Sequence, residues 1–148
     1  MQLINRRLAV LTLSISLMIL SYPIQGASLI VDVSGIDSAQ GMVRVGLYDK
    51  AAGFPDEHQF MQGRVAPASD SVDGKLTVRF ESVKPGDYAV AGYHDINNND
   101  ELDTNLLGIP DEPYGASRAA RNVLSPPDYG DARFKLDAVG KRISIQFQ

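Results

Sequence analysis

The segment His94-Asp-Ile-Asn-Asn-Asn-Asp-Glu-Leu-Asp103 concentrates side-chain oxygens more densely than any other part of the chain. Asp95, Asn97, Asn99 and Asp103 stand at the first, third, fifth and ninth positions of a calcium loop. A hard cation such as Ca²⁺ takes about six to eight oxygens, and a tightly coiled loop can offer several from alternate residues. The backbone carbonyl of Glu101 falls at the seventh position, where such loops use main chain. The sixth position, normally Gly, is Asp100, and the twelfth, normally a bidentate Glu, is Leu106. An outside carboxylate or water would therefore have to complete the shell. The alternative is an Asx-rich turn whose side chains cap their own backbone. Four oxygens at the right spacing favour Ca²⁺ as cofactor. With only two of those four groups charged, the expected Kd is about 10⁻⁴–10⁻³ M, the range of extracellular modules.

The same loop is flanked by residues suited to other chemistry. His94, Glu112 and Tyr114 are candidate ligand-binding residues, and His94, Asp95 and Glu112 together are the candidates for an envelope hydrolase. His94 shares strand parity with Tyr88 and Val90, so a histidine hydrogen-bonded to loop backbone is favoured over a catalyst. Asp111 and Glu112 are adjacent and flanked by Pro110 and Pro113, so they are expected to point apart, with loop capping or a distal calcium contact as their role. Gly115-Ala-Ser117-Arg-Ala119 lacks the second Gly and the preceding buried strand of a nucleophile elbow. Ser117 is expected to cap a helix, with Arg118 and Arg121 solvated. Tyr114 and Tyr129 are expected to pack loops. His58 is expected to be solvated, and without cysteine two histidines are too few for a zinc site.

The elements that must hold these residues read as strands. Period-two alternation recurs over 28–34, 42–48 and 75–81, and again through Ala132-Phe134-Leu136 and Ile143-Ile145-Phe147. A weaker strand at 62–68 carries Pro67, which suits a sheet edge. Turn signals separate them at Ser38–Gly41, Asp73-Gly74, Lys84–Asp87 and Val139-Gly140. Asp56–Met61 and Ala116–Asn122 are long enough for a turn or two of helix. The expected core is Leu76, Val78, Phe80, Tyr88, Val90, Phe134, Ile143, Ile145 and Phe147. About seven short strands indicate an all-β chain folded as a single β-sandwich of transthyretin-like or immunoglobulin-like type. Val83-Lys-Pro-Gly-Asp-Tyr88-Ala-Val90 resembles the corner of such sandwiches, where a Tyr packs inward and its hydroxyl caps nearby backbone. Residues 104–130 show no convincing strand and read as one long ordered loop, because Leu106, Leu107, Ile109, Tyr114, Leu124 and Tyr129 can pack it down.

The N-terminus reads as an address. Arg6 and Arg7 precede an apolar run from Leu8 to Leu20, and Pro23 and the small residues Gly26 and Ala27 follow. A run of thirteen residues falls short of the roughly twenty of a bilayer span. Residues 1–26 are expected to be a cleaved secretory signal and 27–148 the β-sandwich domain, periplasmic or secreted. Removing Arg6 and Arg7 leaves 12 basic against 18 acidic residues, a formal charge of −6. That sign argues against nucleic acid or an anionic membrane as partner and leaves an envelope ligand, protein or glycan. With no cysteine, stability must come from the core and any bound ion.

Three blocks resemble the secreted bacterial family known as domain of unknown function 2141. They are Gly35–Asp49 with Gly53-Phe54-Pro55; Pro85-Gly86-x-Tyr88 running on through Tyr93-His94-Asp95-x-Asn97-x-Asn99, Leu102-Asp103-x-Asn105, Gly108-Ile109-Pro110, Glu112, Tyr114-Gly115 and Ser117; and Pro126-Pro127-x-Tyr129-x-Asp131-Ala132-x-Phe134. The resemblance implies a secreted β-sandwich with no established activity. The chain departs from the family pattern at Asp100, where Gly is usual, and at Ala116 and Arg118. The reading that follows is a non-enzymatic binding or structural module in which a calcium-like loop orders residues 104–130 as a recognition surface.

Overall fold

The computed structural model describes residues 26–122 and 125–148; residues 1–25 of the expected signal segment 1–26 lie outside the described residues, as does Leu124. Among the described residues, eight strands form two packed sheets: β1 (Ala27–Ser34), β2 (Met42–Tyr48), β3 (Gln62–Pro67), β4 (Lys75–Val83), β5 (Gly86–Asp95), β6 (Tyr114–Ala116), β7 (Phe134–Leu136) and β8 (Lys141–Gln146). The first sheet runs β4-β1-β8, with β1 antiparallel to β4 and parallel to β8. The second runs β3-β2-β5-β6, and β7 also pairs with β5. The β-sandwich expected from the alternation is therefore the fold. The weak strand carrying Pro67 lies at an edge, where a missing N–H costs no ladder bond.

Alternation dictates the interior. In β1, Leu29, Val31 and Val33 are fully buried while the residues between them are half-exposed. They meet Val43, Val45 and Leu47 of β2, Val78 and Phe80 of β4, Tyr88 and Val90 of β5, Phe134 and Ile145. Seven of the nine expected core positions belong to this cluster, and the other two, Leu76 and Ile143, are partly buried and pack against its margin. The Tyr88 hydroxyl donates to the Lys84 carbonyl at 2.8 Å, which is the corner that the Val83–Val90 motif announced.

Two features depart from the expected pattern. Ala132 does not continue a strand; Tyr129–Ala132 form one helical turn, and β7 starts at Phe134. The span 104–130 is also not a single strandless loop, because Tyr114–Ala116 pair with Ala91–Tyr93. The reason is a close approach across the sandwich. Tyr114 and Gln148 exchange backbone hydrogen bonds, and a Cβ on Gly115 would overlap the Gln146 carbonyl oxygen. Three residues show no period, so only this tertiary contact defines the strand. The 56–61 stretch is a run of turns without helix, and 117–119 forms one 3-10 turn.

Candidate functional site

Strand β5 delivers His94 and Asp95 to the sheet end, and the loop 96–103 coils immediately beyond. Asp95 is fully buried, a position that a carboxylate occupies only with partners. Its Oδ1 accepts the Asn99 N–H at 3.1 Å, and its Oδ2 accepts the Asp100 N–H at 3.1 Å and the Arg44 Nε–H at 2.6 Å. Burial alone would raise the Asp95 pKa, but Arg44 and the two backbone donors hold it below the ordinary carboxylate value. Arg44 also reaches the Asp100 carboxylate, so one guanidinium spans both acids.

The coil of the loop needs two left-handed residues, Asn98 at φ 61° and Asp100 at φ 69°. Asn and Asp tolerate that region better than other non-glycine residues, so Asp100 adopts the sixth-position conformation without Gly. Asn97 Oδ1 accepts the Asn99 N–H and Asn99 Oδ1 accepts the Glu101 N–H, both two residues on. Their Nδ2 groups converge on Asp103, at 2.6 Å to Oδ2 and 2.9 Å to Oδ1. The expected side-chain ligands thus gather at one place, while Glu101 is exposed. For an ion to join Asp103, the amide oxygens must turn inward from the N–H groups that they now accept. Among the described residues, no group of three or more His, Cys, Asp or Glu is disposed to hold a metal ion.

Glu112 is buried and bridges the loop's two ends. Oε1 accepts the Ile96 N–H at 2.8 Å and Oε2 accepts the Asp103 N–H at 3.2 Å. Asp111 is exposed, so the two acids do point apart. His94 is 1% exposed, with Nε2 2.7 Å from the Gln40 carbonyl and its own N–H donated to Pro113. His58 is exposed. Ser117 is not a helix cap. It is buried, and its Oγ accepts the Val90 N–H at 3.0 Å. Arg118 and Arg121 are exposed, as expected.

Beyond this frame lies a cleft of about 520 Å³ between residues 53–59 and 102–110, with Tyr114, Pro126 and Pro127 on its third side. Tyr48 fixes one wall: its hydroxyl lies 3.1 Å from the Pro55 carbonyl and 2.9 Å from that of Asp56, and its ring meets Phe54 edge-on at 5.0 Å. Burial raises the Tyr48 pKa, keeping the donor proton in place. Asn105 fixes the other wall by accepting the Leu107 and Ile109 N–H groups on Oδ1. A trough of about 240 Å³ continues from the cleft and shares Pro55, Glu57, Leu102, Tyr114 and Pro127 with it. Gly63, Gly46 and Ala91 stand in register across β3, β2 and β5 beneath it, and the missing side chains let the Phe60 ring lie on Gly63 and the Tyr48 ring on Gly46.

Sequence reasoning missed Arg44, the cleft walls Phe54 and Pro55, and this row of small residues. Arg44 alternates out of the core among apolar neighbours, a weak signal for a buried carboxylate partner. Register across strands gives none.

The chain belongs to the bacterial family described as uncharacterized protein conserved in bacteria, domain of unknown function 2141, whose model matches residues 31–144. No curated protein and no solved structure matches it. Among the described residues, no helix is long and apolar enough to cross a membrane.

Proposed function

We propose that this protein is a non-enzymatic binding module of the bacterial cell envelope, with the 95–103 loop holding the 102–110 wall of the cleft in place. The carrying observation is that His94, Asp95 and Glu112 are each engaged with backbone or Arg44, so none of the three is free to act as base or nucleophile. A hydrolase would need one of them available to a bound substrate. The cleft, in contrast, has the size and mostly apolar lining of a ligand site.

Calcium deepens this reading. Asp95, Asn97, Asn99 and Asp103 would hold the ion through side chains and Glu101 through its carbonyl, supplying positive charge to a loop that Arg44 neutralises only in part. Asp103 is bound by Glu112 at its N–H, so an ion there would tie the loop directly to the wall that follows. The secretory signal expected at 1–26 fits this role, since calcium is plentiful outside the cytoplasm.

Hydrogen exchange with Ca²⁺ and with chelator tests the proposal. Chelation should remove protection from residues 96–113 while the sheets stay protected, a local opening. Unchanged exchange there, combined with an ester or glycoside hydrolysis that His94→Ala abolishes, would replace the binding reading with the hydrolase.

A further inference from the structure

The outer face of the second sheet carries a row of side chains in register: Val65 of β3, Arg44 of β2, Tyr93 of β5 and Tyr114 of β6. All four line the trough. The hydroxyls of Tyr48, Tyr88 and Tyr129 each meet a backbone carbonyl, at 2.9 Å, 2.8 Å and 3.1 Å. Those of Tyr93 and Tyr114 have no protein partner among the described residues. Tyr93 is the telling one, because it is only 5% exposed. No sealed side-chain oxygen or nitrogen among the described residues lacks a partner, so the Tyr93 hydroxyl is open to the trough that this residue lines. Burial raises its pKa and keeps it a donor. A polar group held this deep is satisfied only by a molecule that enters, water or ligand.

The lining narrows the class of ligand. Arg44 and Arg64 stand beside Glu57 and Asp100, with His58 exposed, so the trough carries no dominant field of either sign. Both guanidiniums are committed, Arg44 to Asp95 and Asp100, and Arg64 to the carbonyls of Arg79 and Gly63 at 2.7 Å each. An anion therefore finds neither arginine unpaired, and a cation meets two arginines. Glu57 accepts only the Leu102 N–H, at 3.5 Å, so it keeps acceptor capacity beside the two tyrosine hydroxyls. The Phe60 ring, seated on Gly63 yet 42% exposed, adds apolar contact. Donors and an acceptor beside a ring, without net charge, complement a sugar, whose hydroxyls donate and accept and whose C–H face is apolar. At about 240 Å³ the trough is smaller than the roughly 300–1,000 Å³ of drug-sized sites, which suits a single ring.

Resting on the binding-module reading, we propose that the trough holds a neutral pyranose ring, its hydroxyls bonded by Tyr93, Tyr114 and Glu57 and its C–H face against Phe60.

The probes are four neutral sugars, the methyl pyranosides of glucose, galactose, mannose and N-acetylglucosamine, titrated into the isotopically labelled full-length protein. Amide resonances of Gly46, Gly63 and Ala91 should shift saturably with at least one of them, with a Kd of about 1–10 mM, as weak as so few contacting atoms allow. Tyr93→Phe should weaken that binding about threefold to tenfold, the loss of one hydrogen bond, while the urea midpoint stays unchanged. The charged analogues, methyl glucuronide and methyl glucosaminide, should bind no tighter than the neutral sugar. No saturable shift with any neutral sugar overturns the proposal, as does full affinity in Tyr93→Phe. A lowered urea midpoint in Tyr93→Phe assigns the hydroxyl to the fold and overturns it too, and tighter capture of a charged analogue overturns the neutral class. The apolar dye Nile red reports on the cleft separately. Dye binding that Ile109→Asp abolishes, without sugar binding, rejects the sugar and keeps the binding module; failure of dye and sugars together rejects the binding reading itself.

Discussion

The Ser117 hydroxyl occupies the hydrogen-bonding position that strand pairing leaves open at Val90. Strand β5 pairs with β7 over Gly86–Tyr88 and with β6 over Ala91–Tyr93, so Val90 falls in the gap between two short partners. Ser117 Oγ accepts the Val90 N–H at 3.0 Å and lies 2.6 Å from the Ala132 carbonyl and 3.3 Å from that of Val90. One side chain thus joins β5, the 3-10 turn and the helical turn before β7, all away from water. Ser117→Ala should cost about 1–3 kcal/mol, the penalty of leaving a buried donor unsatisfied. Urea unfolding measures this, and a loss within experimental error would mean that water replaces the hydroxyl.

Phe80 is fully buried between the sheets, and Arg64 stacks over its ring at 5.0 Å. Phe80→Ala should destabilise by about 3–5 kcal/mol through lost burial and a residual cavity. For a domain of this size that is a large share of total stability. Chemical denaturation is the check, and a change below about 1 kcal/mol would show that the sandwich interior collapses to fill the space.

Asp95 links acidity to loop order. Its folded-state pKa lies below the ordinary carboxylate value, so the bonds from Arg44, Asn99 and Asp100 contribute stability above about pH 4. That contribution is lost as pH falls through the lowered folded value. Asp95→Asn keeps the shape but removes the charge that Arg44 needs, so the variant should be less stable at neutral pH. Its deficit relative to the native chain should shrink with acidification below pH 4. Thermal unfolding across pH 2–7 would show this, and a deficit that stays constant with pH would sink the assignment.

Calcium at the loop should raise thermal stability, since a ligand selective for the folded state stabilises by RT ln(1 + [L]/Kd). With a Kd of about 10⁻⁴ M and about 2 mM free ion, the gain is about 1.8 kcal/mol. Asp103→Ala should abolish the increment, whereas Glu101→Gln should retain most of it because only a carbonyl is used. Calorimetric titration without saturable binding at millimolar Ca²⁺ would leave the Arg44-neutralised loop as the complete structure.

Much of this architecture is legible where cause and effect lie within a few residues. Alternation of Leu29, Val31 and Val33, or of Leu76, Val78 and Phe80, decides which face is buried, because successive strand side chains point oppositely. The Tyr88–Lys84 corner and the Asn97 and Asn99 turns are likewise local, each closing over four residues or fewer. The capping role of Glu112 is one of several readings that its proline-flanked position allows.

The rest depends on register between distant segments. Arg44 meets Asp95 across 51 positions because Met42–Tyr48 pair with Ala89–Asp95 in one register, and a shift by one residue would turn Arg44 into the core. The same register aligns Gly63, Gly46 and Ala91, with the Phe60 and Tyr48 rings lying on the two glycines, while β6 exists only because Tyr114–Ala116 are held between β5 and the end of β8. The cleft walls are loops anchored by Tyr48 and Glu112 from elsewhere in the fold. Local sequence carries the preference of each residue for a face or a turn; which faces and turns meet is settled only when the sheets close over a shared core.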